Sequence, residues 1–460
     1  MPVNSFDEYP MSWRPHLEDS DEPIYLSLAK QLQEDILSGT LTPGTKLPPQ
    51  RELADFLDIN LSTITRAFKL CEEKGLICSA VGRGTYVAAD AASQGMIGIN
   101  APSKKIIEMG AILPNPDINK IASNFLASMV KEPDFYKLLQ YGTVPYDDLQ
   151  IKAACKWLSY LGLTSCKNHI LFSNGSQNAI FAVLSSLFQD GGKLATMPMI
   201  YPGLKMVAKI LGIQLVALPL YDGKITEQSL EYVRKNQNVK GFYFIPDYNN
   251  PTNEVMDVET RKMIGSYATK YQMPVIEDAI YSLYIPNPLP TITSFTEEYG
   301  ILISSVSKIM APGLRLAVLH VPTQYHLAIG NCLYAMQITS PALMMQLFTR
   351  LVLSGQFEEI RRLRILEIEK RHNMLSRICK GLPIVTDLHS PIGWLTLPKD
   401  CNPDAFEEKA LRNGLHLCSA SRFMVGSALA PNAVRLSLIS EHSDTRYEEG
   451  LELLKKIMEL

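Results

Sequence analysis

The sequence predicts an α/β protein with an N-terminal winged helix-turn-helix head, and three observations carry that expectation. Residues 23–88 contain three short stretches with apolar side chains at helical spacing, then two short β-rich runs. From about His169 onward, β-rich runs alternate with helix-period stretches, the pattern of a mainly parallel sheet. Between these regions, residues 89–105 are rich in Ala, Ser and Gly and follow neither period, as an interdomain linker would.

Composition sets the bounds. A chain of 460 residues with 46% apolar and 20% charged side chains is long enough for two or three domains and a large core. The net charge of -3 gives no global nucleic-acid signal, so any DNA contact has to come from a local patch. Residues 1–22 form a polar, acidic tail without the features of a signal peptide, and no apolar run is long enough to span a membrane. The eight cysteines are scattered, with no CxxC pair. That pattern suits reduced thiols in a cytoplasm and argues against a zinc site or a disulfide framework.

In the head, Pro23 opens a first helix with Ile24, Leu28, Leu32 and Ile36 on one face, and Ser38-Gly39 stops it. Pro48-Pro49 leads into a second helix that buries Leu53, Phe56 and Leu57. Asn60 or Ser62 caps a third, whose apolar stripe is Ile64, Ala67, Phe68 and Cys71 and whose other face carries Thr63, Arg66 and Lys69. The runs Leu76–Ser79 and Gly84–Val87 then flank a wing with Arg83 near its tip. Ser62 and Thr63 at the start of the third helix would face phosphates or base edges of double-stranded DNA, with Arg51, Arg66 and Arg83 as further contacts. The motifs Leu47-Pro48, Arg51, Leu53-Ala54, Thr63-Ile64, Arg66-Ala67-Phe68, Glu73–Ile77 and Gly82–Thr85 resemble the DNA-binding domain of GntR-type bacterial regulators. The chain departs from the family at Pro49, where many members have Ser, and at Leu61, where many have a basic residue.

In the large domain the predicted strands are 169–173, 193–197, 214–218, 240–245, 274–277, 300–304 and 316–321, with helices over 178–188 and 258–271 among the connections. A smaller C-terminal α+β subdomain follows about Pro341, with a long charged helix over 357–380, whose Glu and Arg runs read as a solvated face, and a closing helix over 447–458. In such sheets ligands bind at the C-terminal ends of the strands, and that is where the chemistry-bearing residues fall. Asn174-Gly175-Ser176-Gln177 opens a helix whose free N–H groups can hold a phosphate. Tyr201 offers an aromatic face, and a side-chain amide of the turn Asn249-Asn250-Pro251-Thr252-Asn253 can donate to a phenolic oxygen. Glu277-Asp278 ends another strand, and a carboxylate at that depth needs a cation, such as a pyridinium nitrogen, with Tyr281 just beyond. One strand later, Ser305, Ser307 and Arg315 surround Lys308, a lysine suited to a Schiff base beside a phosphate.

This order resembles that of fold-type I pyridoxal 5'-phosphate (PLP) enzymes of the aminotransferase class, from about Ile106 to the C-terminus. The resemblance implies that Lys308 carries the internal aldimine, Asp278 meets the ring nitrogen, and Asn250 and Tyr281 meet the ring hydroxyl. Tyr201 would stack on the ring, while Gly175, Ser176, Gln177, Ser305, Ser307 and Arg315 would hold the phosphate. Arg435 would clamp a substrate carboxylate, and Tyr141 would reach the phosphate of the partner subunit in a homodimer with shared sites. The head joined to this domain resembles MocR-type regulators. That likeness implies a cytoplasmic, DNA-binding regulator in which an amine or amino acid effector forms an aldimine and alters operator binding. The alternative is an active aminotransferase with a DNA-binding head.

Overall fold

In the computed structural model the described residues are 11–16, 22–41, 44–73, 76–80, 84–88, 105–142, 145–426 and 428–459. Arg83, almost all of the expected linker and most of the N-terminal tail lie outside them. Contacts divide the chain into two compact units, 1–96 with 420–431, and 97–419 with 432–460.

The head contains α1 (Ile24–Leu37), α2 (Gln50–Leu57) and α3 (Leu61–Glu73), followed by the antiparallel pair β1 (Ile77–Ala80) and β2 (Gly84–Val87). Its core forms from the expected stripes: Leu28, Leu32, Ile36, Leu53, Ile64 and Phe68 are all buried. Phe56 and Leu57 are only partly buried. The choice of cap for α3 falls on Asn60, whose side-chain oxygen accepts the Ser62 N–H at 2.8 Å. Of the tail's described residues, Trp13 joins this core: it is buried, and its indole donates to Asp35 at 2.8 Å.

In the second unit, the strands β4 (Ile170–Ser173), β5 (Gly192–Thr196), β6 (Ile213–Ala217), β7 (Gly241–Phe244), β8 (Val275–Asp278), β9 (Gly300–Ser305) and β10 (Ala317–His320) form one sheet in the order β4-β10-β9-β8-β7-β5-β6. All its neighbours are parallel except β10, which runs antiparallel to both β4 and β9. The start of β10 therefore lies at the sheet edge where the other six strands end. Strands β7, β8 and β9 are buried along their whole length, as strands covered on both faces are.

The C-terminal region forms a small antiparallel sheet that includes Ile392–Thr396 and Ala433–Ser437, with the long helix at Gln356–Ile378 and the closing helix at Asp444–Glu459. A separate parallel pair joins β3 (Ile107–Glu108) to Leu415–His416. The long helix is not simply solvated. Arg364 and Arg371 are each 1% exposed. Arg364 donates to the carbonyls of Asn115 at 2.6 Å and Met310 at 3.1 Å, and Arg371 pairs with Asp444 at 3.1 Å. These arginines satisfy loop carbonyls that the fold has buried, which a helical charge pattern alone does not reveal. Among the described residues, no helix is long and apolar enough to cross a membrane, and no cluster of His, Cys, Asp or Glu could hold a metal ion.

Candidate functional site

Lys308 lies three residues past the end of β9 and lines a cavity of about 270 Å³ in the second unit. Its backbone is fixed by Tyr284, whose hydroxyl donates to the Lys308 carbonyl. Its Nζ donates to the Ile112 carbonyl at 2.6 Å. Burial, with the nearby positive charges of Arg435 and Arg315, lowers the lysine pKa to about 8.

The same cavity gathers Ser176, Gln177, Tyr201, Asn250, Asp278, Tyr281, Ser307, Arg315 and Arg435, which the sequence places far apart. Asp278 ends β8. The alternation of a strand sends it to the cavity and its neighbour Glu277 to the other face, where Glu277 accepts from the Thr293 N–H at 2.8 Å and the Thr293 hydroxyl at 2.7 Å. Asp278 Oδ2 accepts from the Tyr243 hydroxyl at 2.7 Å. Its Oδ1 is buried with no hydrogen-bond partner among the described residues. Burial raises the Asp278 pKa to about 6 against the opposing effect of Tyr243.

At the mouth, Gly175 caps the helix Ser176–Leu187 at φ +88°, a conformation that favours glycine. A Cβ there would sit 2.5 Å from Arg315 Nη2, so the guanidinium lies directly against the glycine backbone. Arg315 Nη1 donates to Ser307 Oγ at 3.3 Å, and Ser176 Oγ is buried with no partner among the described residues. Ser305 stands behind this wall. Its hydroxyl meets Ser307 Oγ at 2.9 Å, and it does not line the cavity. Tyr201 precedes the helix Pro202–Ile210, and its hydroxyl meets Gln177 Oε1 at 3.2 Å.

On the other side Arg435, 1% exposed and in the middle of the strand Ala433–Ser437, donates Nη1 to Asn250 Oδ1 at 2.7 Å and Nη2 to the Gly110 carbonyl. Asn250 belongs to the turn after β7. That turn is tied down by the buried Arg261, which pairs with Asp247 and donates to the Met256 carbonyl at 2.9 Å. Tyr281 is fully buried, which pushes its hydroxyl pKa up. Tyr141 is 75% exposed and absent from the cavity wall of this chain.

Tyr243, Tyr284 and Arg261 escaped the sequence reading. Tyr243 had a legible signal: a hydroxyl inside the buried run Gly241–Phe244 needs a polar partner. Arg261 had none, since one arginine on a helix looks like any solvated charge.

The head carries its own candidate surface. Arg51, Ser62 and Arg66 are exposed and Thr63 is half-buried. The Arg66 guanidinium lies 4.2 Å from the centre of the Tyr25 ring. The Thr65 hydroxyl donates to Gln50 at 2.9 Å and so ties α3 to the start of α2.

Comparison with known proteins separates the same two regions. Residues 24–87 match the family described as bacterial regulatory proteins, gntR family, and residues 117–454 match aminotransferase class I and II. The HTH-type transcriptional regulator YdeF of Bacillus subtilis (strain 168) is 42% identical over 459 residues, covering 100% of this chain and 99% of the relative. YjiR of Escherichia coli (strain K12), also described as an HTH-type transcriptional regulator, is 24% identical over 462 residues, covering 93% of this chain and 97% of the relative. Among solved structures, a Pyrococcus horikoshii kynurenine aminotransferase shares the fold with a TM-score of 0.70 at 21% identity, over 78% of this chain and 91% of that one.

The aminotransferase match indicates PLP as cofactor, and the donor set fits that group. The unpartnered Asp278 Oδ1 suits a protonated ring nitrogen. The unpartnered Ser176 Oγ, the Gly175 backbone and Arg315 converge at a helix N-terminus, as a phosphate requires.

Proposed function

The chain belongs to the HTH-type transcriptional regulators that join a gntR-family head to an aminotransferase class I and II domain, and from that premise we propose that it senses an amine or amino acid. It is a DNA-binding regulator with an aminotransferase-like domain. In our reading residues 23–88 bind the operator, 89–105 link, and 106–460 bind PLP and the effector, in the cytoplasm. The observation that carries it is the convergence of Lys308 and Arg435 on one cavity in a chain with a DNA-binding head.

When bound, PLP supplies an aldehyde carbon open to primary amines and a ring nitrogen that draws electrons. Lys308 supplies the resident amine, and an incoming effector competes with it. The Asp278 carboxylate holds the proton on the ring nitrogen. Asn250 and Tyr281 orient the ring hydroxyl, and Tyr201 stacks on the ring. Gly175, Ser176, Gln177, Ser307 and Arg315 hold the phosphate, with Ser305 bracing Ser307 from behind. Arg435 binds the effector carboxylate. The exposed Tyr141 reaches the phosphate of a partner subunit in a homodimer. In the head, Arg51, Ser62, Thr63, Arg66 and Arg83 contact DNA. An effector changes operator affinity only by binding two arrangements of the protein unequally.

A second reading, turnover as an aminotransferase, is favoured by the lowered pKa of Lys308, which leaves some free amine near neutrality to move a proton. One experiment tests both: titrate PLP-loaded protein with amino acids, follow the visible absorbance, and measure binding to its own upstream DNA. A spectral change that alters DNA binding without release of keto acid supports the sensor. Steady keto acid formation with unchanged DNA binding overturns it.

A further inference from the structure

The charges of the cavity point to the class of effector. Among the described residues four charged side chains line it: Asp278, Lys308, Arg315 and Arg435. In the reading above Asp278, Arg315 and Arg435 meet the ring nitrogen, the phosphate and the effector carboxylate, and Lys308, once the effector amine takes its place, has the Ile112 carbonyl that its Nζ meets at 2.6 Å. None of the four is left for a charge on the effector side chain.

What borders Lys308 and Arg435 instead is a short strap, residues 110–113, directly after β3. The carbonyls of Gly110, Ala111 and Ile112 accept from Arg435, Ser440 and Lys308 in turn. The Glu108 carboxylate accepts the N–H groups of Gly110 at 2.7 Å and Ala111 at 2.8 Å, and is held in turn by His416 Nδ1 at 2.8 Å. With these backbone groups engaged by protein, what the strap adds to the cavity wall beside the two cations is three apolar residues, Ala111, Ile112 and Leu113, the last two with the larger side chains. Ile280, also on the wall, adds no charge.

We infer that the effector is an α-amino acid with an uncharged, apolar side chain, and that Ile112 and Leu113 select it. An amino acid held by its amine at the Lys308 position and its carboxylate at Arg435 has its Cα beside the strap. An apolar side chain there gains burial. A charged one loses water and finds no counter-charge on the wall. This inference rests on the sensor reading and deepens it.

The test uses the full-length PLP-loaded protein, with absorbance and the shift in melting temperature as parallel readouts. The probes are L-leucine, L-glutamate, L-lysine and methylamine. Leucine should bind at least about tenfold more tightly than glutamate or lysine, a difference of about 1.4 kcal/mol. Leu113→Lys should reverse the order of leucine and glutamate. Glutamate or lysine binding as tightly as leucine to the unaltered protein overturns the inference while leaving the sensor reading intact, as would happen if a second copy supplied a matching charge. Silence toward every probe, methylamine included, overturns the sensor reading and this inference with it.

Discussion

The head and the cavity handle polar side chains in opposite ways. In the head, Arg51, Ser62 and Arg66 face solvent. In the cavity, Asp278, Arg435 and Asn250 are buried and held by one another or by Tyr243 and the Gly110 carbonyl. An exposed cation stays hydrated until its partner arrives, so losing one removes a single share of a distributed contact. A buried polar group has paid its desolvation on folding, so its removal or mispairing is felt locally and strongly. Substitutions in the cavity should therefore act nearly all-or-none, and those in the head should act by degrees.

The largest effect belongs to Lys308. Lys308→Ala should abolish the visible absorbance of the lysine-bound cofactor while circular dichroism stays unchanged. Persistence of the band would assign the bond to another amine. Next comes Gly175→Ala. The added Cβ would press on Arg315 at 2.5 Å from a backbone at φ +88°, so the guanidinium must move. Loss of one charge-assisted contact is worth about 2 kcal/mol, and PLP retention in equilibrium dialysis should fall roughly thirtyfold. Unchanged retention would remove Arg315 from the phosphate site.

Asp278 gives a pH-dependent case. Its pKa in the folded, cofactor-free protein is about 6, against about 3.9 in the unfolded chain. Between those values the folded protein holds more protons than the unfolded one, so stability falls as pH rises through that window. Above pH 6 the whole penalty of the buried charge, about 3 kcal/mol, is present. Asp278→Asn should thus make the cofactor-free protein more stable at pH 7.5 and leave it equal to the parent at pH 4, read by urea denaturation. The same variant should bind PLP more weakly, because the ring nitrogen loses its carboxylate. A variant less stable at pH 7.5 would show the carboxylate to be compensated in the empty fold.

These contrasts also explain what the sequence made legible. All seven central strands emerge from their apolar runs, since buried parallel strands admit few other residues. That Lys308, Asp278 and Arg315 meet at one cavity was readable because their order along the chain mirrors the order of strand ends. Arg364 and Arg371 were hidden in a charged helix, because burial of a polar group depends on what packs over it. Asn253 adopts φ +66°, a conformation Asn tolerates better than most residues. Gln150 completes the capping box of the helix Asp148–Ser159.

The smallest effect is expected in the head, and it is the sharpest check on the comparison. Arg66 sits on the exposed face of α3 with its guanidinium over Tyr25. Arg66→Ala should weaken operator binding about tenfold at moderate salt and lower the slope of log K against log salt by about one, the signature of a single lost phosphate contact. Arg66→Lys should restore much of the salt dependence, since a point charge suffices at a phosphate, but less of the affinity if the planar guanidinium also reads a base. The melting temperature of the head should change little, because the stacking on Tyr25 is a surface contact. If Arg66→Ala instead melted the head, the residue would serve the fold as the cavity residues do, and the contrast between a graded surface and an all-or-none cavity would fail at that position.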